Sequence, residues 1–316
     1  MGFHKGQYPS KYVKSKYVKI TATVIIVVVA LFNIVYNYNS FAKVRRAVSG
    51  IDGMFSVHFI DVGQGDAALL KSPEGEYALI DCGPTANGSY LVKYLSDVGV
   101  DSLDYVIITH PHEDHYGGFT EVMENFEIEE LIIHEAFADV YPYDKFIRMA
   151  ESSGTDVFFA DEDRNFRLDG DVNIEMLVPE ITDINDLNES SLCFRVSYGN
   201  RAFMFTGDAE ADTESYLMSL GKNLEAYVLK AGHHGSSTSN TKRFVKSVDP
   251  EYAVVSCEKN NDYGHPHRET VTLFEKSDIK MLVTYESGNV VFVTDGNDIT
   301  LIEGFLDRNL YAGVAS

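Results

Sequence analysis

The sequence predicts an α+β fold in which two sheets carry helices on their outer faces, behind an amino-terminal transmembrane helix. Three observations predict it. Short apolar, β-branched runs recur along the chain, helical patterns fall between them in both halves, and a charge-free apolar stretch stands near the start. With 316 residues and 45% hydrophobic content the chain can bury a full-sized core. Its aromatic, Gly and Pro contents are those of an ordinary folded protein.

The amino-terminal element comes first. No charge occurs between Lys19 and Lys43, and Ile20 through Tyr36 is almost entirely apolar, which is long enough to span a bilayer. Val24, Ile25, Ile26, Val27, Val28 and Val29 surround a helix axis completely, so no polar face remains for a soluble helix. Five lysines precede the span (Lys5, Lys11, Lys14, Lys16, Lys19) and Lys43, Arg45 and Arg46 follow it. That bias puts the amino terminus inside and the remainder outside the cell membrane. A cleaved signal peptide is the competing expectation, but residues 37–42 offer no small-x-small site. The expected plan is a basic cytoplasmic tail over 1–19, a single-pass anchor over 20–42, a linker over 43–52 and a folded domain over 53–316.

Strands are expected at Phe55–Ile60, Ala67–Leu70, Tyr77–Ile80, Tyr105–Ile108, Leu131–Ile133, Val172–Val178, Leu192–Val196, Ala202–Phe205, Tyr227–Leu229, Tyr252–Val255, Met281–Thr284 and Val290–Val293. Helices are expected at Ser89–Val98, Tyr143–Ser153, Ala209–Gly221, Thr241–Ser247 and Arg268–Lys276. Cys82, Cys193 and Cys257 are odd in number, widely spaced and set in apolar runs, so they are expected to be buried thiols rather than disulfides.

Charge limits the partners. Residues 51–316 hold 18 basic against 48 acidic residues, a net −30. Such a surface repels polyanions at long range, so no extended nucleic-acid surface is expected unless basic groups cluster locally. A short or tethered phosphodiester met by metal ions stays compatible.

The chemistry is concentrated after the strand that ends at Ile108. Thr-His-Pro-His-Glu-Asp-His-Tyr-Gly-Gly sets His110, His112, Asp114 and His115 within six residues. Three imidazoles and a carboxylate supply the borderline N and O donors that Zn²⁺ or Mn²⁺ accept, and alternation with the following turn sends them toward two adjacent sites. The bland alternative is a solvated His-rich turn.

This motif resembles the metal signature of the metallo-β-lactamase superfamily, and residues 54–303 resemble the hydrolase domain of ComEC competence proteins. The resemblance rests on Phe59-Ile-Asp-Val-Gly-Gln-Gly-Asp-Ala67, Leu79-Ile-Asp-Cys-Gly83, Phe205-Thr-Gly-Asp-Ala209, Leu229-Lys-Ala-Gly-His-His-Gly-Ser236 and Gly264-His-Pro266, in that order. It implies a four-layer αββα sandwich and two divalent metal ions, Zn or Mn, at its rim. His110, His112, Asp114, His115, Asp208 and His234 would be the ligands, with Asp208 bridging. Neighbouring strand residues face opposite sides, so one of His233 and His234 is expected to reach a metal, and His234 is chosen. Asp81 is expected to orient a metal-bound histidine, or to form a plain strand-end turn.

Asp114, His265 and His233 are expected to serve catalysis, and Ser236, His233 and His265 to touch substrate. Gly235-Ser-Ser-Thr-Ser239 is expected to open a helix and cradle a phosphoryl group, or simply to supply its cap. Asp66 is expected to be structural, and His4, His58, His134 and His267 to be bland. Tyr141, Tyr143 and the acidic stretch 136–163 are expected to grip substrate or to be core.

One departure narrows the resemblance. The usual third-motif histidine is replaced by Leu187-Asn-Glu-Ser-Ser-Leu192, as in the ComEC-like and teichoic-acid phosphorylcholine esterase branches. The implied function is a phosphodiesterase working outside the membrane. DNA or nucleotide ranks before a cell-wall phosphodiester, β-lactam hydrolysis ranks below both, and a non-catalytic binding protein of the same fold is the alternative of another class.

Overall fold

The computed structural model describes residues 49–306, apart from residues 139, 140, 142, 182 and 184. The expected tail 1–19, span 20–42 and most of the linker lie outside the described residues. No helix among the described residues is long and apolar enough to cross a membrane. The end of the expected linker belongs to the fold: Ile51 is buried, and Asp52 pairs with Lys71 at 2.8 Å.

Among the described residues, fifteen strands form two sheets. The first contains β1 (Phe55–Phe59), β2 (Ala68–Lys71), β3 (Tyr77–Ile80), β4 (Ser102–Ile107), β5 (Glu127–His134), β6 (Asp156–Ala160), β14 (Val290–Thr294) and β15 (Ile299–Glu303), in the order β15-β14-β1-β2-β3-β4-β5-β6. The second contains β7 (Arg164–Arg167), β8 (Asn173–Leu177), β9 (Cys193–Tyr198), β10 (Arg201–Phe205), β11 (Val228–Lys230), β12 (Tyr252–Val255) and β13 (Lys280–Val283), in the order β13-β12-β11-β10-β9-β8-β7. Each sheet is antiparallel in one part and parallel in the other: β3 to β6 run parallel in the first, and β10 to β13 in the second.

Alternation along the strands builds the layers. In β10, Phe203 and Phe205 face the space between the sheets with Phe55, Phe59 and Phe292, while Ala202 and Met204 face outward. There they meet Leu217, Phe244, Val248 and Phe274 of the helices Ala211–Ser219, Lys242–Val248 and Arg268–Lys276. On the first sheet, Ser56 and His58 turn away from the inter-sheet core, and His58 Nδ1 bonds the Tyr94 hydroxyl of the helix Gly88–Val98 at 2.8 Å. The result is helix, sheet, sheet, helix. All three cysteines are free and buried.

Candidate metal centre

The first half of the site stands where β3 and β4 end. Asp81 follows β3 at a left-handed φ of 59°, which turns its carboxylate under the next loop. One oxygen accepts from the Thr109 backbone N–H at 2.8 Å; the other accepts from the Thr109 hydroxyl and from His115 Nδ1, both at 2.8 Å. The Thr109 hydroxyl, its proton given to Asp81, lies 3.1 Å from His110 Nδ1 and accepts there. Both rings are thus fixed through Nδ1–H and turn Nε2 inward. The loop is clamped from the side by the Asp66 N–H, which donates to the Asp114 carbonyl at 3.1 Å. Gly65 has φ 137°, and a Cβ there would run into that carbonyl oxygen.

The second half stands where β10 and β11 end. Asp208 follows Gly207, and its N–H donates to the Ser191 hydroxyl at 3.0 Å. The Ser191 hydroxyl therefore sits against the Asp208 backbone, in the loop that replaces the third-motif histidine. After β11, Asn240 holds the turn by accepting from Gly232 N–H and donating to Gly232 C=O, each at 3.0 Å. His233 and His234 are both left-handed, at φ 49° and 52°. The expectation of an extended pair facing opposite sides is therefore wrong in its premise, and the turn brings both imidazoles beside Asp208. His234 is buried and donates Nδ1–H to the Ser256 carbonyl at 3.0 Å. His233 is partly exposed and pairs Nδ1 with Glu210 at 3.1 Å, a carboxylate that also accepts from Asn188 at 3.2 Å.

The two halves converge on Asp208. One carboxylate oxygen lies 3.3 Å from His115 Nε2; the other lies 3.4 Å from His234 Nε2, 3.7 Å from His233 Nε2 and 3.9 Å from His110 Nε2. His234 Nε2 is also 3.1 Å from Asp114, and His110 Nε2 is 2.9 Å from His112 Nδ1. His115 Nε2, His234 Nε2 and Asp208 Oδ1 are buried and make no hydrogen bond. Orphaned atoms of this kind require a missing partner. His110, His112 and Asp208 have donor atoms close enough to hold one ion, and Asp114, His115 and His234 a second. Borderline N and O donors of this kind fit Zn²⁺ or Mn²⁺.

The electrostatics of the ligand set agree. Burial opposes charge on His115 and His234, yet Asp208, with Asp81 and Asp66, outweighs it and pushes both pKa values well above the usual range. Burial would raise Asp208, but the two imidazoles beside it hold it well below the usual carboxylate range. Burial keeps His110 and His112 neutral, helped by His115. The negative charge gathered at Asp208, Asp81 and Asp66 thus favours a cation at this place.

A cleft of about 820 Å³ opens over this cluster, lined by His112, Asp114, Asp208, His233, His234 and His265 among others. His265 stacks on Tyr263 at 5.6 Å and stands 5.4 Å from the His233 ring. Burial, with His234 and His233 beside it, lowers its pKa to about 4.

Of the three expected substrate contacts, His233 and His265 line the cleft and Ser236 does not. It is buried, its hydroxyl bonds Thr238 at 2.9 Å, and its carbonyl accepts from Thr270. The hydroxyl run is a loop ahead of the helix, whose cap is Thr241. Tyr143 is wholly buried against Phe137 and Phe146, so it is core, while Tyr141 is exposed.

Two partners escaped the sequence analysis. Lys230, buried within β11, reaches Asp66 at 2.7 Å, and the other Asp66 oxygen lies 3.2 Å from His234 Nδ1. Asp66 therefore touches the site instead of merely shaping a hairpin. A lysine inside an apolar strand was the available signal, since buried lysines need partners. Glu210, behind His233, left no signal.

Two sheets with a His/Asp cluster at the carboxyl ends of their parallel strands define a metallo-hydrolase class. A family profile described as the Metallo-beta-lactamase superfamily matches residues 60–258, and the chain belongs to that superfamily. Within it, the chain is similar to competence proteins of the ComEC type. It is 29% identical over 253 residues to ComE operon protein 3 of Bacillus subtilis (strain 168), covering 75% of this chain and 32% of that protein. It is 32% identical over 234 residues to Competence protein ComA of Neisseria gonorrhoeae, covering 73% and 31%. The chain thus spans about a third of the length of these relatives. Among solved structures, Igni18, a metallo hydrolase from Ignicoccus hospitalis KIN4/I, superposes with a TM-score of 0.53 at 18% identity, covering 75% of this chain and 98% of that one.

Proposed function

We propose that this domain is a two-metal phosphodiesterase, with DNA or a nucleotide as substrate, held outside the cytoplasmic membrane by the apolar segment at 20–42. The supporting observation is the convergence of three orphaned buried atoms, His115 Nε2, His234 Nε2 and Asp208 Oδ1, between rings whose other nitrogens are already bonded. A scaffold that had lost activity would not be expected to keep all six donors.

In this reading His110 and His112 hold one ion, Asp114, His115 and His234 the other, and Asp208 lies between. Two bound divalent cations, Zn²⁺ or Mn²⁺, supply Lewis-acid charge for the phosphoryl oxygens and an acidified water. Asp81 holds His115, and the Ser256 carbonyl holds His234, so that both present Nε2. Glu210 sets the His233 ring facing the cleft. His265, neutral at ordinary pH, serves as a hydrogen-bonding group toward a phosphoryl or leaving oxygen rather than as a charged acid. With no third-motif histidine in the chain, an ion beside His110 and His112 would be held by these two rings and Asp208.

A second reading is supported by the cleft lining, which includes Glu113, Glu258 and the exposed Tyr263. Carboxylates and an aromatic face suit a cationic head group, as in a phosphorylcholine diester.

The test is hydrolysis of bis(p-nitrophenyl) phosphate, a single-stranded oligonucleotide and p-nitrophenyl phosphorylcholine, with metal content measured alongside. Asp208→Ala is expected to lose bound metal and to slow the preferred substrate by about a thousandfold or more. Chelator-sensitive turnover that persists in this variant would overturn the assignment.

A further inference from the structure

The acidic surface has one local exception. Five of the 18 basic residues in 51–316, namely Lys242, Arg243, Lys246, Arg268 and Lys276, fall on the two short helices Lys242–Val248 and Arg268–Lys276. All five are exposed. No ion pair among the described residues uses any of them, whereas Lys71, Arg164, Lys222, Lys230 and Lys280 are all paired. Lys242, Arg268 and Lys276 line one groove of about 700 Å³, in which Glu269 is the sole acid.

The groove is tied to the metal-site turn. The Gly235–Asn240 loop leads from His234 directly to Thr241, the cap of the first helix. His267 precedes the second helix; its ring accepts from the Ser237 N–H at 2.9 Å, and its own N–H donates to Gly235 C=O at 3.0 Å. Lys242 and Arg268 each stand one residue beyond these caps. The cleft itself is lined by Glu113 and Glu258 and by no lysine or arginine, so a polymeric substrate finds no protein cation there for phosphates that flank the reacting one.

We propose that the groove between these two helices is an exosite that binds the phosphate backbone of single-stranded nucleic acid while one diester occupies the metal cleft. This rests on the phosphodiesterase reading above. It separates two tasks: the cleft takes one phosphoryl group, and the groove offsets the repulsion of the remainder by local counterion release. A bilayer surface is the competing anionic partner, and the vesicle arm of the test separates the two.

The test is fluorescence anisotropy of a labelled, hydrolysis-resistant phosphorothioate dT12 with the full chain across a salt series. The triple variant Lys242→Glu/Arg268→Glu/Lys276→Glu is expected to weaken binding at least about tenfold and to cut the slope of log K against log salt by about 2, since each single-strand phosphate contact contributes about 0.7. A control with the same change in net charge at exposed sites elsewhere, Lys145→Glu/Arg167→Glu/Lys280→Glu, is expected to keep most of the affinity. Thermal melting of each variant checks the fold, and the Gln triple at the groove should give an intermediate loss. Equal weakening by both triples overturns the exosite, as does wild-type binding to phosphatidylglycerol vesicles without binding to dT12. Strand binding through the groove without turnover of any phosphodiester would sink the hydrolase reading and leave the exosite standing. Hydrolysis of bis(p-nitrophenyl) phosphate with groove variants that bind dT12 like wild type would do the reverse.

Discussion

At the scale of single residues, the site depends on groups that stand behind the ligands. Lys230 and Asp66 are a buried pair at 2.7 Å, and Asp66 also faces His234. Removing one partner leaves an uncompensated buried charge, so Lys230→Met is expected to lower unfolding stability by about 3–5 kcal/mol. Adding Asp66→Asn to that variant should restore part of the loss, which urea midpoints will report. A single variant as stable as wild type would show that the pair is not needed. Residues of this kind were the least legible in the sequence. The six expected ligands announced themselves by dense or ordered motifs, whereas Lys230 and Glu210 matter only through partners 164 and 23 positions away. The His233–His234 pair was legible as a pair but not as a turn, because two consecutive left-handed non-glycine residues run against ordinary backbone preference.

At the scale of elements, every strand expected from an apolar run is present, and the three that escaped are β6, β7 and β15. All three lie at sheet edges. Edge strands keep one side in solvent and carry charges, as in Arg164-Asn-Phe-Arg167, so their composition does not separate them from loops. The short helices Glu113–Tyr116, Phe119–Asn125 and Thr284–Ser287 are fixed by their surroundings rather than by a periodic pattern. The loop Gly63–Asp66 also acts as an element, pinning the Asp114 turn from the neighbouring strand connection. Gly65→Ala would push a methyl group into the Asp114 carbonyl. Its expected effect is a metal affinity lower by about 10–100-fold, comparable with loss of a supporting hydrogen bond. Calorimetric titration with Zn²⁺ checks it, and wild-type affinity would deny the clamp its role.

At the scale of the whole molecule, the pKa shifts set a pH dependence. The surrounding carboxylates raise His115 and His234, and burial raises Glu214 to about 7. Groups raised on folding stabilise fully below their unfolded pKa, near 6.5 for histidine and lower for glutamate, and that contribution is lost as pH rises through the folded values. The chelated protein should therefore melt at progressively lower temperature as pH rises from about 6 to 9. Metal binding displaces the same protons, so the gap between metal-loaded and chelated melting temperatures should widen over that range. Scanning calorimetry with and without chelator measures both, and a chelated melting temperature that rose with pH would contradict the charge assignment.

The paired Nδ1 atoms of His110, His115 and His234 have a kinetic consequence. Because protein groups orient each ring through its Nδ1, the three Nε2 atoms keep one aim whichever ion stands between them. Ion exchange in the mature fold should then require no opening of the sandwich, and the resident element would follow its supply in the surroundings as much as any selectivity of the cage.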